Sequence, residues 1–305
     1  MKPLFLYAFA GAVALLALTG CQKEDMGPQP VAIEASSLTA EPQEGAVKIS
    51  WKIPEAANYE YIRVTYMHPG TGKEHIRLAS VYADHIVIDG LLKRYGAIEF
   101  KLMPVTAKGR EGEVRTITSE SLALPKKIKV ISDSKEQMKI TADQVWASNP
   151  EPLYGEGKLE SLVDNNYNTY LHMSWSSPKP FPHYIVMKAP EAVGALGFFL
   201  KNRTHANNNN RPKNMNLWVS DSFDGATFDP TRFSAHKVAE FRGMPEGSGS
   251  EVDSPGYVLP SAMQYVWFEV LEPHGGEQYF SLAEIKLYKY KLEMFDPETG
   301  ETTVL

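Results

Sequence analysis

Apolar and polar residues alternate in short runs along most of the chain, and Pro, Gly, Asn and Asp punctuate the gaps between them. Residues 47–51, 61–67, 75–78, 85–88, 98–105 and 114–117 carry β-branched and aromatic side chains with a period of two. This rhythm predicts a β-sandwich of about 90 residues. A second strand-rich stretch follows, clearest at 184–188, 196–200, 217–220, 265–270 and 284–288. No long helical period appears after residue 20. The pattern predicts an all-β chain of two β-sandwiches in tandem, over 31–125 and 137–290, with a linker at 126–136 and a tail at 291–305. Leu124-Pro125-Lys126-Lys127 marks the hinge, and 128–131 either opens the second unit as a strand or packs between domains.

The first residues depart from this rhythm. Lys2 precedes an apolar run, 4–18, that is shorter than the about 20 residues a membrane helix needs and ends in small residues before a cysteine. Residues 1–20 therefore read as a signal peptide and 21–30 as a Gly- and Pro-punctuated tether. Leu18-Thr19-Gly20-Cys21 resembles a bacterial lipoprotein cleavage box, which implies that Cys21 becomes the acylated first residue of the mature protein. The following Gln22-Lys23-Glu24-Asp25 is similar to the acidic signal that sends lipoproteins of Bacteroides-like bacteria outward, so the expected location is the outer membrane, facing the exterior.

Composition narrows the picture further. Cys21 is the one cysteine, so once acylated it leaves no disulfide, and stability must come from burial, alone or with a bound metal. The 305 residues, 43% of them hydrophobic, suffice for more than one core. The formal net charge of −6 becomes one unit more negative when Lys2 leaves with the leader, which argues against a nucleic-acid partner.

The richest chemistry lies in Leu162-Val163-Asp164-Asn165-Asn166-Tyr167-Asn168-Thr169-Tyr170-Leu171-His172. Asp164, Asn166 and Thr169 stand at i, i+2 and i+5, a spacing that lets one tight turn aim several hard oxygens at a single Ca²⁺, with Glu284 closing the shell from a distant strand. Trp218-Val219-Ser220-Asp221-Ser222-Phe223-Asp224-Gly225 then runs from a strand into an Asp-Gly turn, and Ser281-Leu282-Ala283-Glu284-Ile285-Lys286-Leu287-Tyr288 comes near the end. In this order the three pieces resemble the F5/8 type C, or discoidin-like, family, whose bacterial members include many carbohydrate-binding modules. The resemblance covers roughly 137–290 and implies a discoidin-like jelly roll. It further implies that the carbonyls of Ser161 and Ala283 join Asp164, Asn166, Thr169 and Glu284 around calcium. It also implies a carbohydrate site from His172, Trp175, Arg203, the amides Asn207 and Asn208, and the aromatic Tyr279. Ser174 stands where some members carry a carboxylate, and the loop of four Asn before Arg211 is longer than the family's.

In the first unit, Trp51, Asp89-Gly90-Leu91 and Phe100-Lys101-Leu102-Met103-Pro104-Val105 resemble an immunoglobulin-like fibronectin type III domain, with Ile98 in place of the corner tyrosine. Each site residue also has a plain structural reading. His172 is a ligand contact or a hydrogen-bonded structural histidine, and Trp146 and Trp175 are packing residues or sugar faces. Asp221, Asp224 and Asp229 are explained by a turn.

No Gly-x-Ser-x-Gly elbow, His-Glu-x-x-His or Gly-rich phosphate loop is present, so an enzyme is not expected. The expectation is a surface lipoprotein that binds a terminal sugar of a polysaccharide or glycoprotein for a neighbouring uptake complex. The other reading is a structural or adhesion lipoprotein that binds protein or lipid. Loops carrying His, Arg, Asn and Tyr favour the polyol.

Overall fold

The computed structural model describes residues 26–205 and 210–305. The leader 1–20, Cys21 and the pair Asn207 and Asn208 fall outside the described residues. The fold is all-β, and the chain divides into two compact units between Leu124 and Pro125. Among the described residues no helix is long and apolar enough to cross a membrane.

The first unit runs through β1 (Thr39–Gln43), β2 (Ala46–Ser50), β3 (Tyr61–His68), β4 (Lys73–Ser80), β5 (His85–Asp89), β6 (Ile98–Val105) and β7 (Arg115–Ser119). One sheet has the order β1-β2-β5 and the other β4-β3-β6-β7. Alternation decides which side chains enter the core. Val47 and Ile49 of β2, Ile62, Val64 and Tyr66 of β3, and Ile98, Phe100 and Leu102 of β6 are buried, and the residues between them face outward. Both sheets thus contribute to one core, the definition of a sandwich. β1 escapes the sequence pattern because its Thr-Ala-Glu-Pro-Gln has no apolar face, and it is held by its pairing to β2.

The second unit contains β8 (Lys127–Val130), β9 (Glu136–Met138), β10 (Val145–Ala147), β11 (Leu171–His172), β12 (His183–Asn202) and β13 (Pro212–Ser220). It continues with β14 (His236–Phe241), β15 (Glu251–Asp253), β16 (Tyr257–Pro273), β17 (Ser281–Lys289), β18 (Leu292–Asp296) and β19 (Glu301–Val304). The runs 184–188 and 196–200, separate in the sequence pattern, are two halves of the single strand β12. Register breaks around Val193 divide it, so its first half pairs with β10 and β16, and its second half pairs with β15 and β17 after a last contact with β16 at Ala195 and Leu196. In the core of this unit Phe198 meets Phe241 and Phe268 edge to face, at 5.3 and 5.2 Å. Burying each such ring contributes about 1.5–3 kcal/mol.

Strand segments covered on both faces lose their alternation. Tyr184 to Met187 are all buried, since Ile185 and Met187 enter the main core while Tyr184 and Val186 lie beneath an aromatic cover that includes Phe223, Phe228 and Phe233. Trp146 packs into that cover, 5.4 Å from Phe223, which resolves it as a packing residue.

The stretch expected as linker, 126–136, holds β8, in line with the strand reading of 128–131, and the stretch expected as tail, 291–305, holds β18 and β19. β8 pairs with β18, and β18 with β19, in a three-stranded sheet, with Leu292 opposite Val130. A short strand's own alternation does not reveal its partner 160 residues away, whereas the buried Leu292 explains why the end of the chain folds back.

Candidate functional site

Two loop clusters of the second unit carry the chemistry. The first follows a 3-10 turn at Leu159–Leu162, where Asn165 adopts a left-handed φ of 57° and reverses the chain. Asp164 Oδ1 accepts from the Asn166 N–H at 2.8 Å, and Asp164 Oδ2 accepts from the Thr169 hydroxyl at 2.7 Å. The turn therefore holds Asp164, Asn166 and Thr169 together without a cation. Ser161 is buried at its start.

Glu284 is different. It is 1% exposed, on β17 next to the buried Ala283, and its Oε2 has no hydrogen-bond partner. Burial pushes its carboxyl up to about 7; Lys286 opposes this, the nearby Asp164 charge adds to it, and the Asn165 N–H opposes it. Beside it lies a cavity of about 180 Å³ lined by Val163, Asn165, Glu284 and Lys286 among others. A buried carboxylate oxygen without a donor, facing a second carboxylate, is a costly arrangement unless a cation lies between them. Among the described residues no group of three His, Cys, Asp or Glu could hold a metal, so the available donors are two carboxylates plus amide, hydroxyl and carbonyl oxygens. Such an all-oxygen set fits a hard cation such as calcium and not a transition metal that prefers thiolate or imidazole.

The second cluster forms where β11 meets the start of β17, His172 opposite Ser281, and where β12 ends, Asn202 opposite Leu282. This register brings residues from three distant parts of the sequence to one edge. His172 is 4% exposed, and its ring lies 5.1 Å from Tyr279 and 6.4 Å from Tyr170. Nδ1 is 2.6 Å from the Met173 carbonyl, which can only accept, so Nδ1 carries the proton and Nε2 is the ring's acceptor. Burial lowers the imidazole pKa below its usual 6.5; the Met173 carbonyl and Glu156 act against this, and Arg203 acts with it.

Arg203 lies over the Tyr170 ring, 3.3 Å from its centroid. Its guanidinium has no carboxylate or carbonyl partner among the described residues, unlike Lys201, which is paired with Glu251. Tyr170 in turn donates to Glu156 Oε1 at 3.3 Å, and Glu156 Oε2 accepts from the Trp175 indole at 2.9 Å. Of the residues expected to bind sugar, the structure thus gathers His172, Arg203 and Tyr279, and joins Trp175 to them through Glu156.

Glu156, Tyr170, Tyr154 and Glu151 were not singled out by the sequence. Glu151 is the frame of the cluster. Buried at 3% exposure, it accepts from the N–H groups of Leu153, Trp175 and Ser176 and from the hydroxyls of Ser174 and Ser176. Burial alone would raise its pKa, but the donors of Ser176, Leu153 and Ser174 outweigh that and hold it at about 2. Ser174, which stands where some family members place a carboxylate, is a donor to Glu151 here. The available signal was the run Glu151-Pro152-Leu153-Tyr154-Gly155-Glu156-Gly157, with acidic and aromatic residues set among glycines. The aspartates of the Trp218 turn are occupied locally: Asp224 accepts from Ala226 and Thr227, and Asp229 from Thr231.

Comparison with known proteins gives the following. A family model described as a domain of unknown function, DUF4959, matches residues 31–120. No curated protein matches the chain. Among solved structures the chain is similar to a SusE-like protein, with 15% identity over 86% of this chain and 99% of that one and a TM-score of 0.37. It is also similar to the family 32 carbohydrate-binding module of Clostridium perfringens NanJ, solved in complex with galactose, at 19% identity over 50% of this chain and 100% of that one, TM-score 0.37. A third is the C-terminal domain of a chitobiase from Bacteroides fragilis, at 18% identity over 56% and 99%, TM-score 0.39.

Proposed function

We propose that the second unit binds a glycan at the His172, Arg203 and Tyr279 cluster, without catalysis, and that the first unit is a fibronectin III-like spacer. The observation that carries this reading is the Arg203 guanidinium, set over Tyr170 with no carboxylate or carbonyl partner among the described residues, beside an imidazole acceptor and an aromatic ring. Sugar recognition needs those three elements: donors for vicinal hydroxyls, an acceptor, and an apolar face for the C–H side of a pyranose. Asn207 and Asn208, which follow Arg203 closely in the sequence, would add amides. Ca²⁺ at Asp164, Asn166, Thr169 and Glu284, with the carbonyls of Ser161 and Ala283, would brace the loop that leads into β11. The ion's part is structural, and the protein groups do the binding.

The test is a glycan array probed with residues 22–305, followed by titration of the best hit. Tyr279→Ala should cost about 1–3 kcal/mol of binding, the scale of a buried apolar face. Arg203→Ala should cost roughly 1.5–3 kcal/mol, the scale of hydrogen bonds to a charged donor. Arg203→Ala should keep the wild-type melting temperature, and Tyr279→Ala, which also removes a ring packed against the core, should lower it while leaving the fold intact by circular dichroism. An array without a glycan hit would favour the adhesion reading.

The leader supports a lipid anchor at Cys21 on the outer membrane, facing the exterior, which would place the glycan site beside an uptake complex. Two or more acyl chains give stable anchoring. Cys21→Ala should shift the protein from the membrane to the soluble fraction, and a variant that still sediments with membranes would refute the anchor.

A further inference from the structure

The polar cluster leaves one aromatic pair unused. The rings of Tyr154 and Trp175 lie parallel, 2° apart, with centroids 6.2 Å from each other. Tyr154 is 83% exposed and Trp175 38%, so both rings present surface to solvent. Trp175 is nevertheless held at two points. Its backbone N–H donates to Glu151 Oε2 and its indole N–H to Glu156 Oε2, both at 2.9 Å. Glu156 is shared with the polar cluster, because its other oxygen accepts from Tyr170, the ring beneath Arg203.

From this arrangement we infer that Tyr154 and Trp175 form a second sugar subsite, and that the ligand is a neutral oligosaccharide with one residue in the polar cluster and the next across the two rings. The inference rests on the glycan reading of that cluster and deepens it. A water-facing aromatic surface in which Trp175 is fixed in place by two carboxylates suits the C–H face of a pyranose, whose hydroxyls remain at its rim. Glu151 and Glu156 place negative charge at this shelf, so a uronic or sialic acid there would be repelled. The subsite therefore selects a neutral hexose or N-acetylhexosamine as the second unit.

The experiment is calorimetric titration of the full chain with methyl glycosides of common neutral sugars, then with disaccharides that end in the tightest of them, including one with a uronic acid as the second residue. The neutral disaccharide should bind roughly three- to tenfold tighter than its methyl glycoside, the scale of one added aromatic contact. The uronate disaccharide should show no such gain. Tyr154→Asn, chosen because Asn tolerates the left-handed φ of 55° at this position, should abolish the gain and leave methyl glycoside binding unchanged. Equal binding of mono- and disaccharide by the wild type, or an undiminished gain in Tyr154→Asn, would overturn the second subsite while leaving the first intact. Equal weakening of both ligands would place Tyr154 in the first subsite and also overturn it. Tyr279→Ala should weaken both ligands, and a protein that binds none of these sugars refutes the glycan reading and this inference together.

Discussion

His172 sits at the floor of the polar cluster as a buried, neutral imidazole, and its protonation state decides what it can accept. With the Nδ1 proton committed to the Met173 carbonyl, a sugar hydroxyl can donate to Nε2 only while that nitrogen is unprotonated. The folded-state pKa lies below 6.5 because burial penalises the cation. Sugar affinity should therefore be flat above pH 6.5 and fall as pH drops through the folded pKa. Stability follows the same sign. The unfolded chain takes up the proton at higher pH than the folded one, so the contribution is present above 6.5 and lost on acidification. His183, lowered mainly by its own burial, adds to the same loss. Titration of the best glycan from pH 8 to pH 5, with circular dichroism at each point to confirm folding, checks this. Affinity that rises on acidification would rule out Nε2 as an acceptor. His172, Arg203 and Tyr279 were singled out because the discoidin-like resemblance marks a histidine after the Asp164 turn, an arginine at a strand end and an aromatic before Ala283. Tyr170 was not, since only the fold lays Arg203 upon it.

The loop element that presents Trp175 owes its shape to one carboxylate and one glycine. A carboxylate at about 2 remains ionised throughout the range in which His172 titrates, so Glu151 adds nothing to acid effects above pH 4, which arise from His172, His183 and Glu284. For Glu151 the depressed pKa means stability that is present above 4.5 and lost only as pH falls toward 2. Glu151→Gln replaces one acceptor oxygen with a donor that faces the N–H groups and hydroxyls now satisfied by the carboxylate. Binding should weaken by roughly tenfold, the scale of a lost charge-assisted hydrogen bond, with the sandwich intact by circular dichroism. Gly157 has a separate role. A Cβ there would lie 2.2 Å from the Glu151 carbonyl oxygen and 2.6 Å from its nitrogen, both backbone atoms, so Gly157→Ala must displace the segment. It should weaken binding at least as much as Glu151→Gln. Wild-type affinity in both variants would show that this loop does not shape the site. These contacts join 151 to 174–176 and escape local pattern reading, whereas β6 announced itself through Ile98, Phe100 and Leu102. β12 was read as two strands because its bend at Val193 interrupts the alternation.

At the scale of the whole molecule, two sandwiches were legible because each core repeats the period of two, and the three-stranded sheet of β8, β18 and β19 was not, because its pairing spans the entire second unit. Stability of that unit turns on Glu284, the buried carboxylate with an orphan oxygen. If a cation belongs there, it ties the 161–169 loop to β17, two segments more than a hundred residues apart in sequence, and the unfolded chain has no equivalent site. Binding to the folded state alone stabilises by about 2.7 kcal/mol at a hundredfold excess over Kd. For a unit of this size that amounts to a rise in melting temperature of roughly 5–10 °C. Calorimetry of the full chain after chelation should show a transition that climbs with added Ca²⁺ and does not respond to an equal concentration of Na⁺. Glu284→Gln removes the buried charge while keeping the side chain's shape, so it should raise the melting temperature of the chelated protein and abolish its response to calcium. A chelated wild-type protein whose transition stays fixed across the calcium titration would mean that Glu284 is a protonated core residue, consistent with its carboxyl at about 7, and that the loop is held by Asp164 and Thr169 alone.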